Sequence, residues 1–544
     1  MEMLNLSLPA TNRFASCYLE QTEDILPFFH YRFDQTSDYH ERLLELKDRV
    51  FPREEIAGHI DTYMARFPSS KAVKDSIKKL KADNSAVIIG GQQAGILTGP
   101  LYTIHKVISI IKLAEEKEKE LNIPVVPVFW IAGEDHDYQE VNHVFVPVAQ
   151  RADKWVYPEK VLQKRMVSDI PLDKDICMEW ARNLIRNFGE TEHTNNVLNF
   201  IESAVAQSLS FVDFFATIIM SLFKEYGLLI IDSGNEGLRN IEKNIFSRQI
   251  EHQAAITYAV LEQQKEIREK GFSLAIDMDE RAANLFYYDK QLNERILLEF
   301  DRNQDRFTGK NGSLSFSTEQ LLEIAANHPE KLSNNVVTRP LTQDWLFPTL
   351  AFIAGPGEIA YWAELKQAFE HFDIKMPPIV PRLNITLLDR SIETELKDLN
   401  LPVEKVLARG VTEEKEQFLD SIKDKEAEQL FSSIKDQLIE QYRLLEEKTK
   451  QIDSGLLPLL SKNESILLKQ IEFMESRIED SVKNKHEVIL KKFSRTELAL
   501  RPEGSPQERI WNVFSFFNSY GMDFIDHLMK LDYAFDGSHK VIKK

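Results

Sequence analysis

The chain has 544 residues, of which 43% are hydrophobic and 28% charged, and its formal net charge at pH 7 is −19. This length is enough for two or three domains with a large buried core, whereas the acidic balance excludes a general affinity for DNA or RNA backbones. No apolar run approaches 18 residues and the N-terminus lacks a secretory pattern, so we expect neither a membrane span nor export. Cys17 and Cys177 are too few for a disulfide framework, and a reducing cytoplasm is expected.

The first 84 residues are predicted to be mostly helical, because apolar positions recur every three to four residues over 42–50, 56–67 and 73–80. The apolar run Ala86–Ile89 then predicts a buried strand. A glycine-rich turn over 90–99, in which glycine allows positive φ angles, leads to a helix with Pro100 at its first position. We expect the free N–H groups of this helix start to form an anion site.

A second buried strand is predicted over 123–132, and it ends in the polar cluster Glu134–Asp137. Strand, crossover helix and strand form one βαβ unit, so the two strands are expected to be parallel. Ligands of open parallel sheets bind beyond the carboxyl ends of the strands. We therefore expect Gln93, His105 and His136 to converge on one hollow above the sheet.

The predicted fold class is α/β, with a Rossmann-like parallel sheet core over residues 1–395. Further core strands are predicted at 227–234, 349–354 and 377–382, and insertions at about 140–210 and 255–335; the second insertion has the alternation typical of antiparallel strands. Over residues 396–500, apolar side chains recur every seven residues (Phe431, Leu438, Leu445, Ile452 and Leu459). This repeat predicts a coiled-coil hairpin with arms of about 40 residues, or ~60 Å. Residues 501–544 are apolar enough to pack on the core.

Nucleotide-binding motifs match only in part. The P-loop pattern fails, because Ile96 and Leu97 stand where it requires lysine and a hydroxyl residue. Residues 355–360 match a dinucleotide fingerprint, but Glu358 would face the pyrophosphate. Residues 98–105 resemble a degenerate nucleotidylyltransferase motif, in which His105 stabilises phosphate charge; the alternative is that His105 caps or packs in the core.

The polar residues at the predicted strand ends allow more than one interpretation. The cluster Glu134–Asp137 is either a solvated turn, or a site where His136 is a general base or where Asp135 and Asp137 hold Mg²⁺ or an ammonium group. A zinc site from His136 and His143 lacks a third ligand. Arg339 and Arg382 either form surface salt bridges or bind a carboxylate or phosphate bidentately.

Four segments together carry a family resemblance: residues 90–106, 133–137, 339–341 and 355–362 are similar to the cysteine-adding enzymes of bacillithiol biosynthesis, and the similarity runs along the chain. The resemblance implies a cytoplasmic protein of a low-GC Gram-positive bacterium. It also implies a core of the class I synthetase or nucleotidylyltransferase type, with a coiled coil that supports a homodimer. The implied reaction joins the carboxyl of cysteine to the amine of glucosaminyl-malate, with no nucleic acid or membrane partner.

A carboxylate does not acylate an amine without activation, so ATP is the expected cosubstrate, and Mg²⁺ is left open. The synthetase-like core favours an adenylate over an acyl phosphate, although a K-M-S-K-S loop has no counterpart near 382–390. The candidate catalytic residues are His105 and Lys106, near the phosphates, and Asp135, His136 and Asp137, one of which takes the proton of the amine. The candidate substrate-binding residues are Gln92, Gln93, Thr98, Tyr102, Glu134, Arg339, Gly355, Gly357, Glu358, Tyr361 and Arg382. The rival classes are a nucleotidylyltransferase acting on another small molecule and a non-catalytic coiled-coil interaction protein.

Overall fold

The computed structural model describes residues 2–161, 163–309, 312 and 314–544, which divide into two compact units. Unit 1 comprises Met1–Leu387 and Ser505–Lys544, and unit 2 comprises Leu388–Gly504. The boundaries predicted from the sequence were 396 and 501.

The N-terminal part of unit 1 is mostly helical but begins with a strand. Its elements are β1 (Glu2–Leu6), α1 (Arg13–Leu19), α2 (Thr36–Lys47), α3 (Arg53–Met64) and α4 (Lys71–Lys81). Strand β1 pairs antiparallel with the C-terminal strand, so that Leu4 lies opposite Val541. Strand β1 was not predicted from the sequence, because its partner lies at the other end of the chain.

The βαβ unit predicted from the sequence is present in unit 1. Strands β2 (Ala86–Gln92) and β3 (Val125–Ile131) are parallel, and helix α5 (Tyr102–Leu121) lies between them in the chain. The helix begins two residues after Pro100, and the amide of Leu101, just before it, donates to the Trp511 carbonyl oxygen at 2.8 Å. The anion site at this helix start stays a prediction.

The first insertion consists of a β-hairpin and a pair of helices that precede the next core elements. The elements are α6 (Tyr138–Val141), β4 (His143–Val148), β5 (Arg151–Val156), α7 (Lys174–Asn187) and α8 (Thr194–Gln207), followed by α9 (Phe211–Phe223) and the core strand β6 (Leu229–Asp232). Strands β4 and β5 are antiparallel.

The second insertion contains an antiparallel sheet with its own core. Its elements are α10 (Glu236–Glu251), α11 (Gln253–Glu269), β7 (Ala282–Asp289), β8 (Glu294–Asp301), β9 (Arg306–Gly309), β10 (Ser315–Ser317), α12 (Thr318–Asn327) and β11 (Leu332–Asn334). The strands are ordered β10-β9-β8-β7-β11. Phe246, Leu285, Leu298 and Phe307 are completely buried together, so this sheet packs on α10 and α12.

Three helices, the last two strands of the core sheet and one strand of a separate three-stranded sheet follow this insertion. They are α13 (Thr338–Leu346), β12 (Thr349–Ala354), α14 (Pro356–Ala363), α15 (Lys366–Glu370), β13 (Ile379–Pro381) and β14 (Asn384–Leu388). The core order is β13-β12-β2-β3-β6, with every neighbouring pair parallel. All five carboxyl ends therefore lie at one edge, where Gln92 is opposite Ile131 and Ile131 is opposite Asp232.

Unit 2 is helical, with α16 (Arg390–Asp398), α17 (Val403–Arg409), α18 (Thr412–Ile422), α19 (Lys425–Ile452), α20 (Leu457–Lys485) and α21 (Glu487–Leu500). Helices α19 and α20 form the hairpin and contain 28 and 29 residues, so each arm is about 43 Å long rather than ~60 Å. The predicted seven-residue seam holds only in part, since Leu438 is half-buried whereas Leu445, Ile452 and Leu459 are 49%, 73% and 64% exposed. A straight helix drifts away from a seven-residue repeat, which affects the later positions of α19, and Leu459 lies on the other arm, beyond the turn after Ile452.

The C-terminal segment belongs to unit 1. It contains α22 (Gln507–Ile510), α23 (Val513–Tyr520), α24 (Phe524–Met529) and β15 (His539–Lys543), and β15 lies between β1 and β14 in a three-stranded sheet. None of the helices in the described residues is both long enough and apolar enough to cross a bilayer.

Candidate functional site

A cavity of about 330 Å³ lies at the carboxyl ends of β2, β3 and β12. Eleven of the residues predicted for the site line it: Gln92, Gln93, Tyr102, Lys106, Asp135, Arg339, Gly355, Gly357, Glu358, Tyr361 and Arg382. The lining also includes residues that the sequence analysis did not select: Gly91, Trp130, Ala132, Gln343, Phe352, Pro356 and Arg509. The cavity thus occupies the place that the topology of the sheet predicts for a ligand.

The glycines at the end of β2 permit close packing rather than an unusual backbone. A Cβ on Gly90 would lie 3.0 Å from Ile110 Cδ1 and 3.1 Å from the Ile353 carbonyl oxygen. The positive φ angles occur further on, at Leu97, Thr98 and Gly99. This loop is fixed by Asn512, whose amide nitrogen donates to the carbonyl oxygens of Leu97 at 2.8 Å and Gly99 at 2.6 Å. Thr98 is fully buried in the loop and does not line the cavity, which corrects its prediction as a substrate-binding residue.

Lys106 brings a buried ammonium group to the cavity floor. Its Nζ donates to the Gly91 carbonyl oxygen at 2.7 Å and to Glu358 Oε2 at 2.5 Å. The same carboxylate oxygen accepts the Gly355 amide at 2.6 Å. Burial lowers the pKa of Lys106 more than Glu358 raises it. An ammonium group has three donors, so one remains for a ligand.

His105 does not reach the cavity, and its predicted role near phosphates is corrected. Its ring is fully buried, and Nδ1 lies 2.8 Å from Glu508 Oε2. The Glu508 carboxylate also accepts both terminal nitrogens of Arg382, at 2.6 and 2.7 Å. Although burial opposes it, Arg382 and His105 hold the pKa of Glu508 well below its usual range. His105 is on α5 one position before Lys106, and the helix turns the two side chains in different directions.

The cluster after β3 is divided among three environments. Asp135 lines the cavity, and its Oδ1 lies 3.5 Å from Nη1 of Arg295 on β8. His136 lies outside the cavity lining, with Nδ1 3.4 Å from the same guanidinium; burial and Arg295 lower the pKa of its imidazole. Asp137 is exposed at the start of α6. The prediction that His136 and Asp137 face the ligand, and that Gln93, His105 and His136 share one hollow, is therefore wrong.

Glu134 is buried behind the cavity in an ion-pair triad. Its Oε2 accepts from Arg239 Nη2 at 2.5 Å, while Arg239 Nη1 donates to Glu242 at 2.7 Å. All three side chains are at most 2% exposed. Glu134 therefore joins the end of β3 to α10 and does not contact a ligand, which corrects its prediction as a binding residue.

Arg339 and Tyr361 form the remaining charged side of the cavity. Arg339 lies in the first turn of α13, and Tyr361 lies on α14. Burial works against the charged form of Arg339, but Tyr361 and the Asp135 carboxylate outweigh it, so the pKa of Arg339 is raised above its ordinary value. Arg339 therefore remains a cation facing the ligand.

The formal charge of the cavity is opposite to that of the chain. Among its described lining residues, four are cationic (Lys106, Arg339, Arg382 and Arg509) and two are carboxylates (Asp135 and Glu358). An anion is attracted to this cavity although the whole chain carries −19. The part of the chain that the structure describes contains no cluster of three or more His, Cys, Asp or Glu side chains arranged to hold a metal ion.

Two residues that matter to this site were missed for different reasons. Arg295 is a buried cation beside the apolar run 296–298, and such a run indicates that its neighbours in the strand are buried. Arg509 gave no such signal, because it lies on a short segment far from the other cavity residues in the chain.

The parallel sheet and the charged cavity at its carboxyl edge define a Rossmann-like protein with a cavity where open parallel sheets bind their ligands. Sequence models of one family cover the chain. Residues 1–383 match "Bacillithiol biosynthesis BshC, N-terminal Rossmann-like domain", and residues 385–544 match "Bacillithiol biosynthesis BshC, C-terminal coiled-coil domain". The chain belongs to the bacillithiol biosynthesis BshC family.

Curated relatives agree with this assignment over their full length. A Geobacillus sp. (strain WCH70) protein is 45% identical over 542 residues, and an Anoxybacillus flavithermus protein is 42% identical over 542 residues. A Bacillus cereus protein is 40% identical over 543 residues. In each case 100% of both chains is covered, and each relative is named "Putative cysteine ligase BshC". The family resemblance and the ligase class predicted from the sequence agree with these names.

Proposed function

We propose that this chain joins the carboxyl group of cysteine to the amine of glucosaminyl-malate, in the cavity at the carboxyl edge of the core sheet. The names of the relatives support a cysteine ligase. The observation that carries the proposal is the placement of four cationic side chains beside two carboxylates in that cavity. Cationic side chains can form ion pairs with the two malate carboxylates, and a carboxylate can accept a hydrogen bond from the amine.

The arginines are assigned to the malate end of the substrate. Arg339 and Arg382 both line the cavity. The guanidinium of Arg339 can bind a carboxylate through two parallel hydrogen bonds. The terminal nitrogens of Arg382 already bond Glu508, Leu383 and Asn384, so its Nε–H is the donor left for the malate group. Tyr102, Gln92 and Gln93 supply neutral polar groups, and the Gln93 amide nitrogen donates to Glu140 at 3.0 Å. These groups orient the sugar and the cysteine.

Asp135 is assigned to the amine. When the amine nitrogen forms its bond with the carboxyl carbon of cysteine, one C–O bond breaks and the nitrogen releases one proton. Asp135 is the carboxylate in the cavity that accepts this proton, because Glu358 is already bonded to Lys106 and to the Gly355 amide. Arg295, 3.5 Å from Asp135 Oδ1, helps to fix the position of this carboxylate.

ATP is proposed as the cosubstrate, and when bound it supplies the leaving group that a free carboxylate lacks. Lys106 suits its phosphates, since its ammonium group has one hydrogen left to donate. The residues do not fit a Mg²⁺ site built by the protein, since Asp137 lies outside the cavity and Asp135 faces Arg295. No role in the reaction is therefore assigned to Mg²⁺ ligands of this chain.

The test is a reaction of the purified chain with cysteine, glucosaminyl-malate and labelled ATP. We expect bacillithiol by mass spectrometry together with labelled AMP, and no nucleotide turnover without cysteine. Labelled ADP instead of AMP would refute adenylate formation, and absence of bacillithiol would refute the ligase. Pyrophosphate release that does not depend on cysteine would favour a nucleotidylyltransferase.

We also propose that two copies pair through unit 2. Leu445, Ile452 and Leu459 are 49%, 73% and 64% exposed on the hairpin, and a second copy would remove this apolar surface from water. Sedimentation should show a dimer that Leu445→Glu and Ile452→Glu together convert to a monomer. A monomeric wild-type chain at micromolar concentration would refute the pairing.

A further inference from the structure

The segment from Gln507 to Asn512, here called the clasp, is fixed at both of its ends to the core of unit 1. At its start, Gln507 bonds both main-chain groups of Leu387: its Oε1 accepts the amide at 2.8 Å and its Nε2 donates to the carbonyl oxygen at 2.9 Å. At its end, the Trp511 carbonyl oxygen accepts the Leu101 amide at 2.8 Å, and Asn512 bonds the loop before α5. The two residues near its middle, Glu508 and Arg509, therefore have defined positions.

Glu508 points inward and binds the Arg382 guanidinium in a bidentate pair. The two N···O distances are 2.6 and 2.7 Å, and both side chains are at most 6% exposed. His105 Nδ1, at 2.8 Å, occupies one of the same carboxylate oxygens. A planar guanidinium held by two parallel bonds has a fixed orientation. Glu508 thus determines which way Arg382 faces the cavity, although Glu508 does not itself line it.

Arg509 points outward and lines the edge of the cavity. Its guanidinium carbon lies 5.9 Å from the centroid of the Tyr102 ring, and that of Arg382 lies 5.8 Å from the same centroid. The guanidinium carbons of the two arginines are therefore at most about 12 Å from one another, since both lie near the same ring. Two anionic groups of a small molecule span such a distance.

The four cations of the cavity differ in how they are already paired. Lys106 is bonded to Glu358 and Arg382 to Glu508, while Tyr361 and Asp135 favour the charged form of the fully buried Arg339 and raise its pKa. Arg509 contacts the Tyr102 ring and forms no ion pair with a carboxylate of the described residues. It is exposed to solvent, so its donors are available to a ligand at the cavity mouth.

We infer that the clasp is part of the ligand site: Arg509 binds an anionic group of the ligand at the mouth, and Glu508 is a positioning residue that orients Arg382. The clasp lies within residues 385–544, which match a coiled-coil domain description, but it packs in unit 1. The inference rests on the proposed function only in taking the anion to be a carboxylate of the malate group.

The test for Arg509 is calorimetric binding of L-malate and glucosaminyl-malate to the full chain. Arg509→Gln should raise the Kd of both at least tenfold, because one charge-assisted hydrogen bond is lost. Binding of methyl glucosaminide, which has no carboxylate, should be unchanged. Arg182→Gln, an exposed arginine on α7 outside the cavity, is the matched control and should leave every Kd within twofold.

The test for Glu508 separates positioning from folding. Glu508→Gln should raise the Kd of L-malate at least tenfold in the wild-type background and less than twofold in an Arg382→Gln background, since Glu508 acts through Arg382. Glu508→Asp, which keeps the charge, should show a smaller rise. A lower melting temperature with the Kd of L-malate unchanged would overturn the positioning role.

The outcomes for this inference and for the proposed function are distinguishable. An unchanged Kd in Arg509→Gln overturns the inference even if the wild-type chain makes bacillithiol. A raised Kd in a chain that makes no bacillithiol supports the inference and refutes the ligase. A wild-type chain that binds neither malate compound overturns the assignment of the anion and with it the inference.

Discussion

Removal of the Lys106 charge tests whether the buried ion pair with Glu358 stabilises the cavity floor. Lys106→Met keeps the length of the side chain and removes the ammonium group that bonds Gly91 and Glu358. Removing one partner of a fully buried ion pair costs about 3–5 kcal/mol. Glu358 is 22% exposed and keeps the Gly355 amide at 2.6 Å, so we expect about 2–3 kcal/mol. Unit 1 has roughly 430 residues and an unfolding entropy of about 0.9 kcal/mol/K, so the melting temperature should fall by about 2–4 °C.

The assay is thermal unfolding followed by circular dichroism, together with calorimetric binding of L-malate. Lys112→Met on the same helix is the control, since its ion pair with Glu115 is a surface pair worth at most about 1 kcal/mol. The double variant Lys106→Met/Glu358→Gln leaves no unpaired charge and should melt above Lys106→Met. The reasoning is refuted if Lys106→Met melts within 1 °C of the wild-type chain and binds L-malate equally well.

Three further predictions concern the base, the buried triad and the loop. Asp135→Asn should lower kcat for bacillithiol formation at least about 100-fold, as loss of a general base does, with KM changed less than threefold. Steady-state kinetics that show an unchanged kcat, or a KM raised as much as kcat is lowered, would contradict this role. Burial, with repulsion from Glu134, raises the pKa of Glu242 to about 7 from 4.5. Protonation of Glu242 therefore stabilises the folded chain at low pH by about 3 kcal/mol, and this stabilisation is lost as pH rises through 7. The melting temperature should fall less steeply from pH 5 to 8 in Glu242→Gln than in the wild-type chain, and parallel curves would contradict the assignment. Asn512→Ala removes two hydrogen bonds to the loop before α5 and should cost about 2 kcal/mol, seen as a melting temperature lowered by about 2 °C; no change would show that the loop is held by other contacts.

The core of the fold followed from local pattern, whereas the sheet that joins the two ends of the chain did not. An apolar run bounded by glycine predicted β2, and the next such run predicted β3, because a strand buried on both faces has no polar alternation. Strand β1 contains no run of buried apolar residues, since Met3 and Leu4 are only half-buried. Its position depends on its pairing with β15. In unit 2 the apolar repeat predicted the hairpin, but the arm lengths depended on where Asp424 caps α19 and where α20 ends at Lys485.

The residue types of the site were predictable because charged and glycine residues follow buried strands at positions where a parallel sheet places ligands. Which of those residues face the cavity and which are buried in the core was not predictable from the sequence. Adjacent positions on α5 send Lys106 to the cavity and His105 to Glu508, which lies 403 residues away in the chain.

A Rossmann-like core, a helical hairpin and the polar residues at the strand ends follow from local sequence, since each depends on the spacing of residues close together in the chain. The contribution of the clasp, which brings Arg509 to the cavity and holds Arg382, became visible only in the folded chain. A buried arginine needs a carboxylate partner, and the packing of distant segments determines which carboxylate that is.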